Sequence, residues 1–260
     1  MKPLVFDDDF SVGRYAAEII FAELINNTNQ KLPFILGCPS GRTPRSTYNA
    51  LADLIKESET DISNVIIAMM DEFVVENLDG RYSNDTIDKH FSCARFAKLE
   101  IFDVLNASAP YDGRMALENM RVPDAADPRG YEEFLREVGV GVFLMASGAS
   151  DGHVAFNPPG TNLNERTRIV RIADDTRRDN LNTFPGFNDI SEVPKYGISV
   201  GPATMVDNSK IVIMELIGSH KRQAFNRISN ANSYESDWPS TVVHECKEFF
   251  ILADKAAAYA

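Results

Sequence analysis

The chain has 260 residues, of which 44% are hydrophobic and 25% charged, the balance of an ordinary globular protein. Acidic residues outnumber basic ones by 38 to 26, and the net charge of −12 argues against nucleic acid or an anionic membrane as a partner, because both bind positive surfaces. No apolar run reaches the roughly 20 residues of a membrane span, and three cysteines far apart in sequence favour a reducing, cytoplasmic location.

The N-terminal segment begins with an acidic run and continues as a helix. Asp7–Asp9 lack the basic start and apolar stretch of a signal peptide, in agreement with a cytoplasmic protein. Apolar residues then recur at helical spacing from Val12 to Leu24, and Asp9 or Ser11 can cap that helix. Neither a repeat nor a linker-like change in composition follows, so we expect a single domain over residues 1–260.

Short apolar runs after this helix predict strands. They are Phe34–Leu36, Val65–Met70, Gly141–Ala146, Ile198–Val200, Ile211–Ile217 and Phe249–Ala253. Most lack alternation and are separated by helix-length segments, which is typical of strands buried on both faces. We therefore expect a three-layer α/β fold: a mostly parallel, doubly wound, Rossmann-like sheet with helices on both faces. In such sheets ligands bind beyond the carboxyl ends of the strands.

The segment Gly37–Pro44 joins the first of these strands to a helix that continues through Tyr48 to Ile55. Glycine and small residues let backbone N–H groups approach an anion, and a helix N-terminus favours negative charge. The hydroxyl groups of Ser40 and Thr43 add donors. The segment predicts a phosphate-binding loop, with an ordinary strand–helix turn capped by Thr43 as the alternative; it lacks the Gly-Lys-Ser/Thr ending of a Walker A loop.

Two carboxylates, Asp71 and Glu72, directly follow the second strand. A carboxylate at a strand end can be partly desolvated, which raises its pKa and suits it to move protons between adjacent carbons. The alternative is structural: Asp71 would cap a helix whose first turn holds Glu72.

An Asp-Gly-His segment follows the strand Gly141–Ala146, with Asp151 and His153 on either side of the glycine. His153 could protonate a ring oxygen while a carboxylate fixes its orientation. A purely structural histidine is the alternative.

Together these motifs resemble the glucosamine-6-phosphate deaminase (isomerase) family, whose wider group includes the 6-phosphogluconolactonases. The family's Gly-rich loop is similar to Leu36–Pro44, its Met-Asp-Glu motif to Met70–Phe73, and its Asp-Gly-His run to Asp151–Asn157. A Gly-x-x-Lys match follows at Gly218–Lys221, so the similarity covers nearly the whole chain.

The resemblance implies a role for each motif. The expected substrate and phosphate site comprises Ser40, Gly41, Arg42, Thr43, Glu72 and Lys221. Asp71 would move a proton between C1 and C2 of an open-chain sugar, and His153, oriented by Asp151, would open the ring. Neither a metal nor a cofactor is implied.

Three positions and one stretch depart from the family pattern. Pro158 stands where the deaminases have a glutamate that works with the histidine in ring opening, and Asn182 matches a lid arginine that grips the phosphate. The stretch between Phe73 and Ser92 is longer than usual. Arg42 occupies a loop position that is usually small, so we expect its guanidinium to supply the missing cation, with solvent exposure as the alternative.

Three functions fit these features. The first is an isomerase–deaminase that converts a hexosamine 6-phosphate, or isomerises a related hexose phosphate; glucosamine 6-phosphate would give fructose 6-phosphate and ammonia. The second is a non-catalytic sensor of a phosphorylated sugar. The third is a 6-phosphogluconolactonase-like hydrolase, although that branch normally continues Asp-Gly-His differently. A homo-oligomer is compatible with the sequence but not required by it.

Overall fold

Strands and helices alternate along residues 2–259, the part of the chain that a computed structural model describes. The strands are β1 (Leu4–Phe6), β2 (Phe34–Cys38), β3 (Val65–Met69), β4 (Asp71–Glu76), β5 (Tyr82–Asn84), β6 (Met120–Arg121), β7 (Val140–Ala146), β8 (Arg168–Arg171), β9 (Tyr196–Ser199), β10 (Ser209–Leu216) and β11 (Phe249–Asp254). The α-helices are α1 (Asp9–Asn29), α2 (Arg45–Glu57), α3 (Cys93–Phe96), α4 (Asp103–Ser108), α5 (Pro128–Val138), α6 (Asp174–Thr183), α7 (Pro202–Asn208), α8 (Arg222–Asn230) and α9 (Lys255–Ala258).

Seven strands form a parallel sheet in the order β1-β11-β10-β7-β2-β3-β6. Successive strand residues point to opposite faces. On β2, Leu36 accordingly packs with α1 and α2, whereas Ile35 packs with α5, α7 and α8 on the other side. The predicted three-layer α/β architecture is therefore confirmed.

The long helix α1 begins where its sequence predicts, with a different capping residue. Asp8, rather than Asp9 or Ser11, is the N-cap, and its carboxylate accepts a hydrogen bond from the backbone N–H of Ser11 at 2.8 Å. Val12, Ala16, Ile20 and Leu24 are buried, as helical spacing requires. Among the described residues, no helix has both the length and the apolar character to cross a membrane.

Four strands form a second, antiparallel sheet in the order β5-β4-β9-β8. The run Ile198–Val200, expected in the parallel sheet, overlaps β9 and belongs here instead. Asp71 begins β4, so the alternative that Asp71 caps a helix is wrong. The chain leaves the large sheet at Met70, whose N–H donates to Cys38 O and whose carbonyl accepts from Val200 N, one bond towards each sheet.

A carboxyl group lies in the centre of the large sheet, below the first turn of α2. Glu215 on β10 is fully buried, and Thr47 donates a hydrogen bond to its Oε1. Its Oε2 has no hydrogen-bond partner among the described residues. Burial raises the pKa of Glu215 to about 8, although the bond from Thr47 opposes the shift. The folded protein therefore holds a proton that the unfolded chain releases at neutral pH.

We expect Glu215→Gln to flatten the pH dependence of stability. Between pH 4.5 and 8 the folded state binds this proton and the unfolded state does not, so the parent loses stability as pH rises through that window. The loss is at most about 1.4 kcal/mol per pH unit. Urea unfolding at pH 5, 6.5 and 8 measures it, with the exposed Glu118→Gln as the control. Parallel curves for parent and Glu215→Gln would show that the carboxyl group does not titrate in this way.

Candidate active site

A cavity of about 330 Å³ opens at the carboxyl ends of β2, β3 and β7, where the predicted motifs meet. Seven of the nine residues predicted for the site line it: Ser40, Gly41, Arg42, Thr43, Asp71, His153 and Lys221. Asp151 lies directly behind His153 and does not line the cavity wall, and Glu72 points elsewhere. The sequence motifs therefore converge in space as the parallel sheet predicts.

The loop between β2 and α2 forms one wall. Gly41 has φ +99°, a conformation that favours glycine, and the hydroxyl of Tyr48 donates to Pro39 O at 2.9 Å, which holds the loop on the helix. Pro44 is the N-cap of α2 and contributes no side-chain bond, so Thr43 does not cap the helix. The first N–H groups of an uncapped helix remain available to an anion.

Lys221 faces this loop from the turn before α8. Its ammonium is almost fully buried and donates to Ser147 O. Burial lowers the pKa of Lys221 to about 8; the charge of Asp179 opposes this shift, and that of Arg42 adds to it. Lys221 is therefore charged at neutral pH, and it lines the cavity. Arg42 is exposed and forms no ion pair within residues 2–259.

Asp71 is buried at the junction of the two sheets. Its Oδ1 accepts a hydrogen bond from the thiol of Cys93 at 3.3 Å, and Ser40 Oγ lies 3.4 Å from the same sulfur. Burial raises the pKa of Asp71 to about 7; the thiol hydrogen bond opposes the shift, and the charge of Glu72 adds to it. A carboxylate with this pKa can both accept and return a proton near neutral pH.

Glu72 has a different place from the one predicted for it. Its side chain points away from the cavity and accepts hydrogen bonds from the backbone N–H groups of Phe73, Cys93 and Ala94 at 2.8–3.0 Å, and from Ser92 Oγ at 3.0 Å. Because adjacent residues of β4 point to opposite sides, Asp71 and Glu72 cannot both face the cavity. Glu72 therefore holds α3 in place rather than contacting substrate.

His153 and Asp151 form a hydrogen-bonded pair beside the cavity. The distance from His153 Nδ1 to Asp151 Oδ1 is 2.6 Å, and Thr176 Oγ1 donates to Asp151 Oδ2 at 2.7 Å. Burial alone would raise the pKa of Asp151, but the bonds from His153 and Thr176 outweigh it and hold that pKa well below its usual range. An ionised Asp151 fixes the proton on Nδ1 and leaves Nε2 for exchange with a ligand.

The glycine at position 148 permits this arrangement. A Cβ there would lie 2.3 Å from both Asp151 Oδ1 and His153 Nδ1, far inside van der Waals contact. Gly148 N also donates to His153 O at 2.7 Å. Any side chain at Gly148 would therefore displace the imidazole or the carboxylate.

The helix α6 contributes residues that sequence reasoning missed. Asp179, Asn180, Thr183 and Phe184 line the cavity along one face of the helix and its C-terminal end, whereas Asn182 is exposed and does not line it. The substitution at Asn182 therefore lies outside the cavity wall. The signal in the sequence was the periodicity of 176, 179, 180 and 183 on one helical face, next to the segment Asp175–Arg177 that resembles the family lid.

Asp179 brings a third ionisable group to the histidine pair. The side-chain ligand atoms of Asp151, His153 and Asp179 all lie within 4.8 Å of one another, a spacing that could also hold a divalent cation. Asp151 and His153 already share a short hydrogen bond, so this geometry also suits a proton relay without a metal.

A protein-family model described as glucosamine-6-phosphate isomerases/6-phosphogluconolactonase matches residues 7–251. The chain belongs to this family. Its members act on phosphorylated sugars, in agreement with a loop, a lysine and a histidine pair around one cavity. The family includes both isomerases and lactonases, so membership alone does not choose between the two reactions.

Several solved structures share the fold of this protein. A monomeric glucosamine-6-phosphate deaminase superposes with a TM-score of 0.84 at 23% identity, covering 99% of each chain. The 6-phosphogluconolactonase of Shewanella baltica gives 0.68 at 16% identity, covering 98% of this chain and 97% of its own. That of Trypanosoma brucei gives 0.66 at 18% identity, covering 99% and 97%.

We expect the affinity for a sugar 6-phosphate to fall as pH rises above about 8, because Lys221 then loses its charge. The decrease should approach tenfold per pH unit, while the phosphate monoester, whose second pKa is about 6, stays doubly charged. Calorimetric titration of fructose 6-phosphate from pH 7 to 9.5 measures it. Lys221→Met should bind more weakly and without this pH dependence; an unchanged affinity of the parent across the range would contradict the role of Lys221.

Proposed function

We propose that this protein isomerises and deaminates a hexosamine 6-phosphate, with Asp71 as the base. The observation that carries the proposal is the burial of Asp71, which brings its pKa to about 7 in the same cavity as His153 and the phosphate loop. A carboxylate that titrates near neutral pH suits repeated proton transfer between adjacent carbons.

The phosphate would bind at the end of the cavity formed by Ser40–Thr43 and Lys221. Backbone N–H groups of the loop and the first turn of α2 would donate to its oxygens, and the buried ammonium of Lys221 would balance its charge. Arg42, which lines the same wall and carries no ion pair within residues 2–259, would add the second cation that the sequence predicts. The sugar ring would then extend towards Asp71 and His153.

The chemistry would proceed at the carboxylate end. His153, held by Asp151, would transfer a proton through Nε2 to open the ring and expose the C1 aldehyde. Asp71 would take the proton from C2 and return it to C1, while a proton passes from the amine nitrogen to O1; this leaves a hydroxyl at C1 and an imine at C2. Water would then hydrolyse the imine, releasing ammonia and leaving fructose 6-phosphate.

Asp179 would supply the second carboxylate that Pro158 cannot provide. Pro158 does not line the cavity, whereas Asp179 does and lies close to the imidazole of His153. The relay would thus draw on two carboxylates, with Asp179 coming from α6 rather than from the segment after His153.

The assay that tests the function measures ammonia and ketose from a panel of hexosamine and hexose 6-phosphates, with 6-phosphogluconolactone as a further substrate. The higher TM-score with the deaminase, 0.84 against 0.68 and 0.66 for two lactonases, supports the isomerase–deaminase reaction. Lactone hydrolysis without ammonia release would favour the lactonase. Tight binding of a sugar phosphate without turnover would instead indicate the sensor.

We expect Asp71→Asn to lower kcat by about 10²–10⁴-fold while leaving the affinity for fructose 6-phosphate nearly unchanged, because the amide keeps the shape and loses the basic group. In the parent, kcat/KM should rise with pH through about 7 as Asp71 ionises. Exchange of solvent deuterium into C2 reports the proton transfer directly. Glu215→Gln is the matched control, since it removes another buried carboxyl group with a raised pKa that lies outside the cavity. Parent-like exchange in Asp71→Asn would exclude Asp71 as the base.

We expect Asp179→Asn to slow turnover of the cyclic substrate by about 10²-fold, the lower range of general acid–base assistance, and to slow an open-chain analogue much less. Ring opening would be the affected step, so the difference between the two substrates is the diagnostic. Asp175→Asn, on the same helix but outside the cavity lining, is the control.

Treatment with a chelator distinguishes a proton relay formed by Asp151, His153 and Asp179 from a metal site formed by the same residues. Activity that survives extended treatment with EDTA supports the relay. Activity lost with EDTA and restored by a divalent cation would assign Asp151, His153 and Asp179 to metal binding instead.

A further inference from the structure

A second cavity of about 230 Å³ adjoins the first at the phosphate loop. Gly41, Arg42, Thr183 and Phe184 line both cavities and form the wall between them. The remaining lining comes from residues between 90 and 100, from the first residue of α2, and from Pro185 and Gly186 after α6. We refer to this space, defined by Arg42, Arg45, His90 and Arg95, as the basic cavity.

The charges around the basic cavity are unbalanced. Arg45 is ion-paired with Glu100 at 3.1 Å, and its guanidinium lies 5.7 Å from the ring centroid of Phe96. Arg42 and Arg95 form neither an ion pair nor a side-chain hydrogen bond within residues 2–259. Glu100 is the one carboxylate in the described lining, so two guanidinium groups face this space without a partner.

This local excess of positive charge is opposite in sign to the net charge of the chain. With 38 acidic and 26 basic residues, an arbitrary cavity would more often be negative. Cations that converge on one concavity repel one another and concentrate anions from solution. A guanidinium also meets phosphate through two parallel hydrogen bonds, so Arg42 and Arg95 present the side-chain chemistry that phosphoryl groups prefer.

The rest of the lining suits a small organic phosphate. Phe96 and Phe184 supply apolar walls, and Leu99, 49% exposed, lies at the cavity surface. His90 packs its ring on Phe91 and Phe187, with centroids 5.1 and 4.5 Å away, so it is held beside the opening.

We propose that the basic cavity binds a second phosphoryl group, next to the one proposed to lie at Lys221. The group is carried either by the molecule that occupies the first cavity or by a separate phosphorylated ligand. In both cases Arg42 lies on the shared wall and Arg95 contacts only the second group, because Arg95 does not line the first cavity. The proposal extends the proposed function to a neighbouring site and does not depend on the reaction.

Arg95→Gln tests the proposal, with Arg136→Gln as the matched control, an exposed arginine on α5 that lines neither cavity. Inorganic phosphate is titrated calorimetrically into each protein saturated with fructose 6-phosphate. Charge-assisted hydrogen bonds of this kind are worth about tenfold or more in affinity. We expect Arg95→Gln to weaken phosphate binding at least tenfold and Arg136→Gln to leave it unchanged. Equal affinities in all three proteins overturn the proposal. It is also overturned if the saturated parent binds no phosphate and inorganic pyrophosphate, which carries two linked phosphoryl groups, binds the unsaturated parent no more tightly than inorganic phosphate.

A comparison of inorganic pyrophosphate with inorganic phosphate, both titrated into the protein without fructose 6-phosphate, identifies the source of the second group. If one molecule carries both groups, pyrophosphate binds at least tenfold more tightly, and Arg95→Gln removes that advantage. If the ligand is separate, inorganic phosphate binds alongside fructose 6-phosphate and pyrophosphate has no advantage.

The same titration in a Lys221→Met background, without fructose 6-phosphate, keeps the test independent of the proposed reaction. If the parent protein turned over none of the substrates, that finding would contradict the proposed function. The result of the phosphate titration would still stand. Phosphate binding that survives Lys221→Met and is weakened by Arg95→Gln would still assign the basic cavity.

Discussion

The position of Asp71 depends on one backbone feature, the departure of the chain from the parallel sheet at Met70. Because Met70 is hydrogen-bonded to Cys38 on one side and to Val200 on the other, the next residue starts an antiparallel strand and is enclosed by both sheets. Asp71 is 5% exposed as a result, and burial raises its pKa towards neutrality. The alternation of β4 then sends Glu72 to the opposite side, where it caps α3. A single strand switch thus sets the chemistry of one residue and the structural role of its neighbour.

The histidine pair depends on a different element, since α6 completes it from outside the sheet. Thr176 bonds to Asp151 and lies 3.0 Å from His153 Nδ1, and Asp179 extends from the next turn of the same helix. The orientation of the imidazole and the second carboxylate therefore depend jointly on where α6 docks. A shift of this helix would therefore alter both at once.

The sequence alone was sufficient to predict those parts of the site whose positions follow from the order of the strands. Buried apolar strands place their carboxyl ends at one edge, so the convergence of Ser40, Asp71 and His153 could be predicted without coordinates. The antiparallel sheet could not, because β4 and β9 pair across a separation of more than 100 residues that leaves no local pattern. The same limit hid Asp179, whose proximity to His153 comes from the docking of α6. The prediction for Glu72 was wrong for a second reason. Two adjacent carboxylates look equivalent in a sequence, and only the alternation of side chains along β4 separates them.

The distribution of charge across the cavity gives the proposed substrate its direction. Lys221 and Arg42 lie near one another on the loop side of the cavity, whereas Asp71 lies near His153. A phosphate entering the wrong way would approach carboxylates, and two like charges about 4 Å apart repel by roughly 4 kcal/mol at an effective dielectric constant of 20. That penalty corresponds to nearly three orders of magnitude in the population of the reversed pose. The net charge of −12 reinforces this selection, because an anion finds favourable potential only near the few cations of the loop side. Local placement of two or three cations, rather than overall charge, therefore allows an acidic protein to hold an anionic ligand in one orientation.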